Sequence, residues 1–131
     1  MCKNLVEKGD LGKPLLIFNR TQQRATDMSA QLPSGKSIVA QSIEDAVSRA
    51  DIIFTCVGND RAVIDTIDKA IETDIKSKLF VDCSTVHPDT TSTLERTISG
   101  KGADFVACPV FGRHSPSSCE HLDCLPRGCL A

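Results

Sequence analysis

The run DIIFTCV, residues 51–57, is apolar on consecutive positions rather than on alternate ones. A strand with one wet face alternates. A strand that is apolar throughout calls for cover on both faces, as in a parallel sheet packed between helices. The same pattern recurs in PLLIF (14–18), SIVA (37–40), LFVDC (79–83) and DFVACPVF (104–111). Segments of helical spacing separate these runs. Ala25, Met28 and Leu32 share a face within 21–32, and Val63, Ile64, Ile67, Ala70 and Ile71 share one within 59–72. Ser42 followed by Asp45 predicts a capped short helix. Pro88 and Gly100 bracket another, and Gly9 is expected to end the first helix in the left-handed conformation. Strand and helix alternating through short loops predict an α/β fold, a Rossmann-like doubly wound parallel sheet.

Composition fits that reading and narrows the partners. The chain has 131 residues, 40% hydrophobic and 24% charged, which suits a single globular domain. A net charge of −2 gives no electrostatic case for nucleic acid or for an anionic membrane. No apolar run approaches the roughly 20 residues of a membrane span. The opening MCKNLVEKGD lacks the apolar stretch of a secretory signal. The expected compartment is the cytoplasm, or the mitochondrion if a transit peptide lies upstream. Of the seven cysteines, Cys56, Cys83 and Cys108 sit at or beside the ends of apolar runs, where cysteines usually serve as small buried hydrophobes. Cys119, Cys124 and Cys129, with His114 and His121 nearby, have four residues between successive cysteines and no second close pair, so no metal site is expected. From Arg113 the sequence loses its period, and 113–131 reads as an irregular Ser/Pro/Cys-rich tail.

Ligands of open α/β sheets bind beyond the carboxyl ends of the strands. The residues there are Asn19, Arg20 and Thr21, then Val57, Gly58, Asn59 and Asp60, then Cys83, Ser84 and Thr85, and finally Pro109, Val110, Phe111 and Gly112. At the second strand of a dinucleotide domain a carboxylate usually holds the adenosine ribose and would repel a 2′-phosphate. Here Asn19 and Arg20 replace it, and a guanidinium pairs bidentately with phosphate. The blander reading makes Asn19 and Thr21 a helix cap with Arg20 in solvent.

MCKNLVEKG, NRT, ADIIFTCVGND, LFVDCSTVHPDT and DFVACPVFG, in this order, resemble the β-hydroxyacid dehydrogenase family, which includes 3-hydroxyisobutyrate and 6-phosphogluconate dehydrogenases. The resemblance covers residues 1 to about 112 and is most specific in Asp82, Ser84, Thr85 and Pro88 followed by PVFG. It implies NADP in preference to NAD, with Asn19, Arg20, Thr21, Val57, Gly58 and Thr85 on the cofactor. It also implies Ser84, Phe111 and Gly112 near a small hydroxy acid or semialdehyde substrate, with Phe111 standing where the family has serine.

The same resemblance implies missing parts. The family has a first, central strand and a glycine-rich turn ahead of the helix that ends KNLVEKG, and the strand lies between 14–18 and 51–57. Its catalytic lysine follows PVFG, on a helix of a second, dimerising domain. The last lysine here is Lys101, which precedes PVFG, so no catalytic residue is assigned. The expectation is a partial NADP-binding domain over 1–112, inactive alone. A non-enzymatic nucleotide- or partner-binding module and an incomplete gene product are the alternatives.

Overall fold

The computed structural model describes residues 1–110. Helices and strands alternate as expected. They are α1 (Cys2–Lys8), β1 (Leu15–Ile17), α2 (Gln22–Ala30), β2 (Ser37–Val39), α3 (Ile43–Arg49), β3 (Ile52–Thr55), α4 (Asp60–Ala70), β4 (Leu79–Asp82), α5 (Pro88–Ser99) and β5 (Asp104–Ala107). All pairings are parallel, so every strand in a sheet ends at the same edge. The predicted elements reappear with shorter strands, because flanking residues turn toward the loops.

Local chemistry explains several boundaries. The Ser42 hydroxyl accepts the Asp45 N–H at 3.1 Å, and the Asp45 carboxylate accepts the Gln41 N–H at 3.1 Å, which closes the start of α3 from both sides. The Lys78 ammonium donates to the Ala50 carbonyl at 2.6 Å, a cation at the negative end of the same helix. Gly9 departs from expectation. It is right-handed, with φ of −86°, and its N–H returns to the Leu5 carbonyl as in a continuing helical turn.

The strands form two ladders, β1–β2 and β3–β4–β5. No ladder joins β1 to β3 among the described residues, and the break falls where the resemblance places a central strand. Lys13, just before β1, and Asp51, just before β3, approach to 3.6 Å across it. Each ladder has its own core. Ile17, Ala25 and Leu32 pack with Cys2, Val6 and Met28 around β1–β2. The larger core joins Val47, Val63, Ile67, Phe80, Leu94 and Ile98.

Register explains how the larger core forms and corrects one expectation. Ile53, Phe80 and Phe105 lie in one row and face the helices. The rows on either side project to the opposite face. There Ile52, Phe54 and Val106 are 52%, 42% and 43% exposed. Burial of these strands on both faces is therefore not observed, because the helices packed on β3–β5 gather on the face of the Phe80 row.

Candidate nucleotide site at the strand tips

The carboxyl edge of β3–β4–β5 is built around a buried carboxylate. Asp82, at the end of β4, is 2% exposed. Its Oδ1 accepts the Thr55 hydroxyl at 2.7 Å and the Ser84 N–H at 3.1 Å. Ser84 is itself 4% exposed, and its hydroxyl accepts the Val57 N–H at 3.0 Å. The chain Thr55–Asp82–Ser84–Val57 thus ties the turn after β3 to the turn after β4. No buried side-chain nitrogen or oxygen among the described residues lacks a partner.

A second tie crosses the same two turns. The Asn59 side chain caps α4 by accepting the Ala62 N–H at 2.9 Å. Asp60, the first residue of α4, accepts the Thr90 hydroxyl at 2.6 Å and the His87 N–H at 2.9 Å. These bonds, that from Thr90 foremost, hold the Asp60 carboxyl below its ordinary value of 3.8. A depressed carboxyl contributes stability above its unfolded value and loses it as pH falls through the folded one. Asp60→Asn is therefore expected to lower the urea midpoint at neutral pH, with the difference shrinking as the pH falls through 3.8 and below. Urea titrations of both proteins from pH 7 down to pH 3 check this. A difference independent of pH would refute it.

Between the two ties lies Gly58. A Cβ added there would meet no atom within 4 Å, so the backbone is open to close approach by a ligand. Val57 is half-buried, and Gly58 and Thr85 are exposed. The structure therefore brings Val57, Gly58, Ser84 and Thr85 together. Ser84 contributes as a support beneath Val57.

Asn19, Arg20 and Thr21 stand at the tip of β1, on the other ladder. The Asn19 Oδ1 accepts the Thr21 N–H at 2.9 Å, which fixes the turn. Thr21 is the N-cap of α2, but its side chain makes no capping bond. Arg20 is exposed and makes no ion pair or side-chain hydrogen bond among the described residues. Neither side chain therefore caps α2 as the blander reading expects, and the guanidinium is left free for an anion among the described residues. No hydrogen bond joins this tip to the Val57–Thr85 group.

Phe111, Gly112 and the segment 113–131, with Cys119, Cys124 and Cys129, lie outside the described residues. Lys101 sits in the turn that enters β5, at the amino edge, and donates to the Ile71 carbonyl at 3.1 Å. Two concavities lie away from the tips. One, of about 220 Å³, is lined by Val6, Leu11 and Lys36 near the amino ends of β1 and β2. Another, of about 450 Å³, runs beside α2 and β2. Neither includes a predicted site residue. The open strand tips carry the polar groups and remain the better candidate.

Sequence reasoning gave Thr55, Asp82 and Asp60 no role. A carboxylate ending the apolar run LFVD was the available signal, since a buried charge requires donors.

Parallel ladders, alternating helices and polar tips at one edge define a dinucleotide-binding α/β domain. The model of the NAD binding domain of 6-phosphogluconate dehydrogenase matches residues 1–128, and the chain belongs to that family. It is 40% identical over 128 residues to the NADH-dependent oxidoreductase ucdB of Aspergillus ustus, covering 98% of this chain and 44% of that protein. It is 29% identical over 113 residues to the mitochondrial 3-hydroxyisobutyrate dehydrogenase of Drosophila melanogaster, covering 86% of this chain and 33% of that one. The chain thus spans less than half the length of these relatives. Among solved structures, Psf3 in complex with NADP+ and 2-OPP superposes with a TM-score of 0.69 at 25% identity, over 85% of this chain and 38% of that one. The chain is a nicotinamide-dinucleotide-binding domain of the hydroxyacid-dehydrogenase-like oxidoreductases.

Proposed function

We propose that this domain binds NADP(H) in preference to NAD(H), for an oxidoreductase acting on a small hydroxy acid or semialdehyde. The observation that carries the preference is Arg20. It is an exposed guanidinium without an ion pair among the described residues, at the tip where a carboxylate would select NAD. Asn19 supports it, because its Oδ1 is engaged in the turn and its amide N–H groups remain to donate. Thr85 and the open backbone at Gly58 would line the nicotinamide half. The name of the Aspergillus ustus relative points to NADH, so the two cofactors must be compared directly on this chain.

Calorimetric titration with NADPH and NADH is the test. Tighter binding of NADPH, with the ratio shrinking as salt is raised, is the expected result. Equal or tighter binding of NADH would overturn the preference. The chain alone is expected to give no semialdehyde-dependent NADPH oxidation, since Lys101 faces the wrong edge of the sheet. A second reading, a partner-binding module, is favoured by the exposed Ile52, Phe54 and Val106. Binding of neither dinucleotide would support it.

A further inference from the structure

Each strand of the larger sheet carries a cysteine one residue past its last ladder partner: Cys56 after Thr55, Cys83 after Asp82 and Cys108 after Ala107. The hydrogen bonding continues through them. The Cys83 N–H donates to the Thr55 carbonyl at 2.7 Å, and the Cys108 N–H donates to the Asp82 carbonyl at 2.7 Å. These bonds close the Thr55–Asp82 and Asp82–Ala107 pairings, so each cysteine directly follows a paired residue. Neighbouring strands lie about 4.8 Å apart. The three cysteines therefore stand on adjacent strand tips along the carboxyl edge. All are unbridged, with Cys56 exposed, Cys108 half-buried and Cys83 buried between them. Burial pushes the Cys83 thiol up to about 11, and the neighbouring Cys108 and Cys56 act in the same direction.

Adjacent tips suit a pair of thiols better than a metal. No group of three or more His, Cys, Asp or Glu among the described residues is placed to hold an ion. A disulfide, by contrast, needs Cα atoms about 4.4–6.8 Å apart, a window that contains the interstrand spacing of about 4.8 Å. We propose that Cys56 and Cys83 form a reversible dithiol–disulfide site at the strand tips, oxidised by a peroxide. Cys56 is the exposed member and meets the oxidant first. Its sulfur attacks one peroxide oxygen, an S–O bond forms, the O–O bond breaks, and water leaves. The Cys83 sulfur then attacks the Cys56 sulfenic acid. An S–S bond forms, the S–O bond breaks, and the hydroxyl departs as water with the Cys83 proton. Two thiols lose two electrons, and the peroxide is reduced to two waters. The second step is the slower, because a thiol that holds its proton is a poor nucleophile.

The residues that follow these cysteines are Val57 and Ser84, already joined by the Val57 N–H. Drawing the two sulfurs to bonding distance shifts both backbones directly beneath Gly58. The cross-link itself does not depend on the dinucleotide reading, whereas its effect on NADPH affinity rests on it.

The test treats the full chain with hydrogen peroxide, alkylates it under denaturing conditions without reductant, and maps tryptic peptides by mass spectrometry. Cys56, Cys83 and Cys108 fall on separate peptides, 50–61, 79–96 and 102–113. The expected result is a link between 50–61 and 79–96 in monomeric protein, removed by dithiothreitol, with a several-fold, reversible loss of NADPH affinity. Cys56→Ser should abolish both the link and the peroxide sensitivity. Oxidation of Cys56 to sulfinic acid with Cys83 still alkylated would overturn the proposal, as would a link from 79–96 to 102–113. A 50–61 to 79–96 link with unchanged NADPH affinity would overturn the coupling to the tip. A link in a chain that binds no NADPH even when reduced would support the thiol site and overturn the dinucleotide reading.

Discussion

Arg20→Glu is expected to weaken NADPH binding by roughly 10- to 150-fold while leaving NADH binding nearly unchanged. A hydrogen bond to a charged group is worth about 1.5–3 kcal/mol, and each 1.4 kcal/mol is roughly a factor of ten. Glutamate removes that bond and adds repulsion toward the 2′-phosphate, so the upper part of the range applies. Arg20 is exposed and contributes no packing, so the thermal midpoint should not move. The readouts are dissociation constants for both cofactors and a melting curve of each protein. Equal losses for NADPH and NADH would place Arg20 outside the 2′-phosphate contact.

Asp82→Ala should produce the largest loss of stability among single changes at the site, about 2–4 kcal/mol. The carboxylate accepts both the Thr55 hydroxyl and the Ser84 N–H. Removing it strands two buried donors, and each unsatisfied group costs about 1–3 kcal/mol. Ser84 then loses its anchor, and with it the support of Val57. Asp82→Asn keeps an acceptor in place and should cost distinctly less. Urea unfolding of the three proteins decides the matter. Equal losses for alanine and asparagine would show that the negative charge dominates. A loss below about 1 kcal/mol for alanine would mean that the donors find other partners.

Much of the fold was legible in the chain because its signals are local. The Ser42–Asp45 spacing marks a cap, and the structure contains that cap. Pro88 opens α5, where its missing N–H costs nothing. The period of Val63, Ile67 and Ala70 marks the buried face of α4. Gly9 was misread because the same residue serves either a left-handed stop or a continued turn, and its neighbours decide which. Double-sided burial of β3 and β5 was misread because a continuous apolar run states that cover is needed without saying whether the helices reach both faces.

The site was legible only at its surface. Arg20, Gly58 and Thr85 were placed at strand tips in advance because the tips can be counted from the pattern. Thr55, Asp82 and Asp60 were not found as its supports, since each acts through a partner at least 27 residues away in the chain. The sequence by itself determined the alternation of elements, the parallel class of sheet and the identity of the cation at the first tip. Periodicity, capping and charge are properties of neighbouring residues. Tertiary structure alone decided that Asp82 is a buried hub, that Ser84 holds Val57, and that three cysteines far apart in sequence stand on adjacent strand tips along one edge. Those facts depend on interstrand register, which backbone hydrogen bonds set between segments that no local pattern connects.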